Sequence, residues 1–200
     1  FTGPSATSGS RLDTNPRPLF ALPDLQPDGF GSAVSLWVWP GQSGRARTAV
    51  AVLGSGTSSL TIRVTSTNLP QAVFRDAGLT LTLTGATPLL AGQWAHLCVN
   101  IAYDAGTAVD VDLLVDGTSV ATGSLAAPMV GLGRRQIIVG AGDNLSEPWD
   151  GRLANVAAHG TVLSSVVLDW IVAAGTGGQG EATTQRADRV LYAAGGWAAF

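Results

Sequence analysis

The residues best suited to chemistry lie in one short segment, Gly142-Asp143-Asn144-Leu145-Ser146-Glu147-Pro148-Trp149-Asp150. Asp143, Asn144, Glu147 and Asp150 supply carboxylate and amide oxygens. Calcium takes six to eight such ligands from side chains and carbonyls. The spacing is not that of an EF-hand loop. Asp and Asn also form turns unaided, because their side chains bond nearby backbone. The segment reads either as a calcium site or as a plain turn. Calcium is the one cofactor left open, and no other cofactor signature is present.

Catalytic chemistry finds little to build on. Glycoside hydrolysis needs an acid and a second carboxylate facing the same bond. The chain has two glutamates, Glu147 and Glu181, far apart in sequence, and no strand carries a carboxylate triplet. His96 and His159 have no serine-elbow motif beside them. With no convergent groups, the expectation is a non-enzyme. One cysteine and two distant histidines do not make a structural zinc site. His96 and Cys98 share a strand face with Trp94 and read as a packed histidine beside a small buried thiol.

The six tryptophans offer a different chemistry. A flat aromatic ring flanked by polar groups suits a pyranose ring. Trp37 and Trp39 fall on one face of a strand with Val38 opposite, and Trp149 sits in the acidic loop, where it is expected to be exposed. These three are the candidate ligand-binding residues. Trp94 and Trp170 read as core and Trp197 as part of the tail. Core packing is the competing reading for all six, since tryptophan is highly buried on average.

These residues need a scaffold, and the pattern is that of strands. Apolar and polar residues alternate strictly in Leu79-Thr80-Leu81-Thr82-Leu83-Thr84, the period of a strand with one buried face. Further runs are expected at Leu19–Leu22, Ser32–Trp39, Thr48–Leu53, Ser59–Thr65, Gln71–Arg75, Trp94–Tyr103, Ala108–Val115, Thr118–Gly123, Gln136–Val139 and Arg152–Ala158. Asp116-Gly117 reads as a type I′ hairpin turn, which needs φ > 0 at both central residues. One helix is expected from a Ser164 or Ser165 cap, with Val167, Trp170, Ile171 and Ala174 as its apolar stripe and Gly175 ending it in the left-handed region. Many short strands and one short helix imply an all-β, two-sheet antiparallel jelly-roll sandwich.

The strand segments resemble a known family. Ser35-Leu36-Trp37-Val38-Trp39-Pro40 is similar to the "S-x-W-V-x-P" strand of laminin-G-like, concanavalin-like jelly rolls. Gly92-Gln93-Trp94-Ala95-His96-Leu97-Cys98-Val99 resembles their "G-x-W-x-H-V-A-V" strand, with Cys98 in place of Ala. Leu114-Val115-Asp116-Gly117, then Ile138-Val139-Gly140, then Trp149-Asp150-Gly151-Arg152-Leu153 follow in family order. Val162-Leu163-Ser164 resembles the "L-S-x-x-E-I" ending, without its Glu. The resemblance covers about residues 30–172. It implies adhesion, glycan-binding, hydrolase-accessory or virion-surface roles.

Charge and composition narrow the partners. The net charge is −3, all eleven cations are arginine, and they are scattered. No basic stripe exists to neutralise phosphates, so nucleic acid is not an expected partner. No apolar run reaches the roughly 18 residues of a membrane span. The chain begins at Phe1 without an initiator Met or signal peptide, so it is expected to be processed, trimmed or a fragment. Three segments are expected: an extended arm at 1–16, the sandwich at 17–175, and a Gly-rich loop with an apolar end at 176–200 that packs on the sandwich or a neighbour. Phe1 and Leu12 give the arm too little apolar surface to order itself, and Tyr192, Trp197 and Phe200 would leave an apolar patch in water. These five are the candidate assembly contacts of an oligomer.

The leading expectation is a non-catalytic surface component (a decoration, fibre or adhesion protein) of a larger assembly such as a phage virion, extracellular or on the virion surface. The alternatives are a free-standing carbohydrate-binding domain of a secreted protein and, third, a sandwich-fold glycoside hydrolase. The partners would be other protein chains, glycans, or both.

Overall fold

The computed structural model describes residues 10–12, 31–42, 44–54, 58–76, 78–104, 108–126 and 136–176. Its strands are β1 (Ser10–Leu12), β2 (Ser32–Pro40), β3 (Arg47–Leu53), β4 (Ser59–Val64), β5 (Pro70–Asp76), β6 (Leu79–Thr84), β7 (Ala95–Asp104), β8 (Ala108–Val115), β9 (Thr118–Leu125), β10 (Gln136–Val139) and β11 (Gly151–His159). The helix α1 spans Ser165–Thr176. Two antiparallel sheets result, with orders β1-β10-β3-β4-β5-β6 and β11-β2-β7-β8-β9.

Alternation decides which side chains fill the space between the sheets. Val34, Leu36 and Val38 of β2, Leu97, Val99 and Ile101 of β7, and Val109, Val111 and Leu113 of β8 face one way. They meet Val50 and Val52 of β3, Leu60, Ile62 and Val64 of β4, and Phe74 of β5 in one buried cluster. Each fully buried aliphatic side chain contributes about 1.5–3 kcal/mol, so this core fixes the register: a one-residue slip would turn every one of these residues to the outside. The Asp116-Gly117 turn is as expected, with φ of +49° and +80°.

The structure corrects several expectations. Ser10–Leu12, within the stretch read as an arm, is an edge strand paired with β10. Leu79, Leu81 and Leu83 are not equally buried: Leu83 is in the core, while Leu79, at the start of the edge strand β6, is 44% exposed. On α1 Leu168 is buried and Ile171, Val172, Ala174 and Gly175 are half-buried, so Ile171 and Ala174 of the expected stripe do turn inward, whereas Val167 and Trp170 face solvent, Trp170 at 55% exposure. The segment Val166-Val167-Leu168-Asp169-Trp170-Ile171-Val172 is apolar on nearly every side, so the helical period alone selects no face. Gly175 does not end the helix. It lies inside it, where an added Cβ would come 1.9 Å from Cζ2 of Trp37. The absence of a side chain there lets the last turn of α1 rest on the indole.

The expected strand Leu19–Leu22 and the assembly candidates Phe1, Tyr192, Trp197 and Phe200 lie outside the described residues.

Candidate functional site

The acidic loop before β11 is organised from within. A short 3-10 turn covers Asp143–Leu145, Leu145 and Glu147 adopt φ of +59° and +46°, and the Gly142 amide donates to the Ser146 carbonyl at 2.7 Å. The Thr48 amide donates to the Glu147 carbonyl at 2.8 Å. The Glu147 carboxylate accepts from Arg63 Nη1 at 2.8 and 2.9 Å and from Thr48 Oγ1 at 3.0 Å. Arg63 Nε donates to Gln71 Oε1 at 2.6 Å, and Gln71 Nε2 to Thr84 Oγ1 at 2.8 Å. A polar row thus runs from β6 across β5 and β4 to the loop.

Asp143 and Asp150 are exposed, and Glu147 is turned onto Arg63. Among the described residues no three His, Cys, Asp or Glu side chains gather as metal ligands. The Asn144 side chain is outside the described residues.

Trp149 is not an exposed platform either. It is 7% exposed and belongs to the core between the sheets. Arg47 lies over its ring, 5.7 Å from the centroid, and is itself fully buried. The Arg47 guanidinium donates to the Gln42 carbonyl at 2.7 Å and to Asn68 Oδ1. Burial lowers the Arg47 pKa, with Asp150 opposing that shift. Arg47 therefore joins three segments at one end of the sandwich, and Trp149 is its apolar seat.

The outer face of the five-stranded sheet carries the remaining candidates. Trp37 is 6% exposed, packed beside His96 with ring centroids 5.3 Å apart and covered by the last turn of α1. It is not available to a ligand in this arrangement. Trp39, two residues on and on the same face, is half-buried. Arg152, its cross-strand partner on β11, places its guanidinium 5.2 Å from the ring centroid. Trp94, just before the Ala95 that pairs with Val38, is also half-buried, and the loop before it carries Leu90 at 64% exposure. The β11–β2 approach beneath Trp39 requires Gly151: its φ is +135°, and a Cβ would lie 2.0 Å from the Trp39 carbonyl oxygen. One accessible indole with forked N–H donors on it is an arrangement suited to a polar ligand with a flat apolar face.

His96 and Cys98 are buried as expected. Burial, and then His159, push the His96 pKa down to about 4, and burial, then Asp112, push the Cys98 thiol up to about 12. Ser35 Oγ lies 3.0 Å from His159 Nε2. That pair was missed in the sequence because β2 and β11 meet only in the folded sheet. Ser35 is 4% exposed, and among the described residues no carboxylate is hydrogen-bonded to His159. Farther along this face an open groove of about 430 Å³ is lined by Asn100, Asp110, Asp112, Thr122, Ser124 and Val162. Ser119 and Ser124 donate to Asp112 and Asp110 respectively.

A family model described as the concanavalin A-like lectin/glucanases superfamily matches residues 19–166. The chain belongs to this superfamily. Several solved structures share its fold. The carbohydrate-binding module CBM40 of the Ruminococcus gnavus IT-sialidase, solved with alpha2,3 sialyllactose, is 12% identical with a TM-score of 0.62, over 83% of this chain and 92% of that one. A heptameric SAP-like pentraxin from Limulus polyphemus is 12% identical with a TM-score of 0.53, over 72% and 70%. The receptor binding domain of botulinum neurotoxin D is 12% identical with a TM-score of 0.55, over 73% of this chain and 37% of that one. At such identities the likeness is one of fold. A search of curated proteins finds no relative of this chain.

Proposed function

We propose that this domain is a non-catalytic binding module that holds a saccharide against Trp39 outside the cell. The observation that carries the reading is the half-buried Trp39 with the exposed Arg152 guanidinium on its ring. The indole offers the apolar face, and Arg152 offers donors to hydroxyl or carboxylate oxygens. The superfamily match and the carbohydrate-binding neighbour support it. Glu147, one of the two glutamates, is engaged by Arg63, and the Ser35 hydroxyl beside His159 is buried, so neither offers a reaction centre. The test is a glycan array followed by calorimetry on the strongest binder, with Trp39→Ala and Arg152→Ala alongside. Loss of affinity by about tenfold or more in Trp39→Ala, the cost of a tryptophan anchor, is expected. Unchanged affinity in both variants would place the ligand elsewhere and end this reading.

A second reading is a surface component of a larger assembly, such as a virion decoration, fibre or adhesion protein. It is favoured by the outward face of α1, where Val166 is 76% and Trp170 55% exposed. Sizing of Trp170→Ser, and of chains lacking residues 1–15 or 195–200, tests it: assembly unaltered in all three sinks it.

A further inference from the structure

The face of the five-stranded sheet beneath α1 holds both histidines of the chain. His96 is 1% exposed, and its Nδ1 has no hydrogen-bond partner among the described residues. Its ring lies beside Trp37 at 5.3 Å, tilted by 56°. His159, across the sheet on β11, meets Ser35 Oγ at 3.0 Å. The helix closes this face. Leu168 and Ile171, with Leu163 just before α1, pack on Ala33, Cys98 and Leu114, and Gly175 rests on Trp37. Asn100 ties down the chain leading into α1, accepting from the Leu163 amide and donating to its carbonyl, both at 3.0 Å.

We propose that this interface is a proton-operated latch: protonation of His96, together with His159, releases α1 from the sheet while the two sheets stay packed.

The interface suits neutral imidazoles and not charged ones. An imidazolium donates from both ring nitrogens and needs two acceptors, and His96 already leaves one nitrogen unpartnered. The surrounding charges do not help. From β11 comes His159, a like charge once protonated. From β7 itself comes Cys98, held as the neutral thiol. Asp112 of β8 is taken by Ser119. Asp116, in the β8–β9 turn, accepts from the His96 backbone amide at 2.8 Å rather than from its ring. Asp169 of α1 is exposed and lies over the turn at Gly117. β2 supplies only Ser35 and Trp37, which carry no charge.

The sign follows from burial, which lowers both histidines, His96 to about 4. Docked helix means neutral histidine. Once released, the ring recovers an ordinary pKa near 6.5 and takes a proton. Docking is therefore complete above pH 6.5. It weakens about tenfold per pH unit through His96 as pH falls towards 4, with His159 adding to the loss in the same direction, and then levels off. The helix yields first because it belongs to a small cluster of its own, Ala33, Cys98, Leu114, Leu163 and Leu168. The large cluster between the sheets is far more extensive and is built of aliphatic and aromatic side chains. Local release of a lightly packed element below the global unfolding free energy is ordinary protein behaviour. It would uncover Trp37 beside Trp39.

Cys98, the single thiol and fully buried under α1, is a built-in reporter. A dithiodipyridine reagent, which reacts with thiols in acid, would be applied to the whole chain between pH 7 and pH 4, with circular dichroism of the sheet recorded at each point. The expected result is a more than tenfold rise in labelling between pH 7 and pH 5 with the β signal intact. In His96→Leu the rise should shrink to the contribution of His159, and in His96→Leu/His159→Gln it should vanish. His159→Gln alone keeps a partner for Ser35 and covers the case in which the first variant folds poorly. A labelling rate independent of pH, a rise retained in the double variant, or a β signal lost in step with labelling would each overturn the latch.

Discussion

Arg63 on β4 grips Glu147 in the loop before β11 through two hydrogen bonds of 2.8 and 2.9 Å, although 84 positions separate them. The pair is about one-third exposed. It is a positioning contact that holds the loop over the sheet and turns the Glu147 carboxylate onto Arg63.

Arg63→Met and Glu147→Gln should each lower stability by about 1–2 kcal/mol, discounted for solvent screening, with a coupling of about 1 kcal/mol in the double-mutant cycle. Urea midpoints measure this. Millimolar calcium should leave the melting temperature unchanged, since a ligand bound only by the native state must raise it. A clear upward shift would restore the loop as a calcium site.

Two tryptophans that look alike in sequence should behave oppositely. Trp149→Ala, in the core and under Arg47, is expected to cost about 3–5 kcal/mol of unfolding free energy. Trp39→Ala should cost roughly 1 kcal/mol, the scale of an exposed cation–π contact and a partly lost apolar surface. Equal losses in chemical denaturation would remove the distinction between anchor and site.

Gly151→Ala is expected to be severe, about 3 kcal/mol or more, because the new Cβ meets the Trp39 carbonyl oxygen at 2.0 Å at a φ of +135°. The readout is the melting temperature, together with the loss of whatever ligand Trp39 carries. A fall confined to a few tenths of a kcal/mol would show that β11 can shift away from β2.

Acid should weaken the whole fold through the same histidines. Because the native state keeps His96 neutral down to about pH 4, it binds fewer protons than the unfolded chain below pH 6.5. Stability is thus full above 6.5 and declines by about 1.4 kcal/mol per pH unit as pH falls, reaching about 2 kcal/mol by pH 5. Urea titrations at pH 7 and pH 5 for wild type and His96→Leu check this; the variant should lose correspondingly less.

What the sequence settled by itself is local. Alternation in Leu79–Thr84 and Ala108–Val115 and the φ > 0 pair Asp116-Gly117 follow from backbone sterics and a period of two. With strands repeated at that spacing, a two-sheet sandwich was legible. The tertiary structure decided everything that depends on which strands become neighbours. The pairing of β2 with β11 sets Arg152 on Trp39 and Ser35 against His159, and the β4 position brings Arg63 to Glu147. The face of α1 was also decided there. A helix apolar nearly all round has no preferred stripe until a sheet surface offers one, and the hollow over Trp37 accepts only the side that presents Gly175.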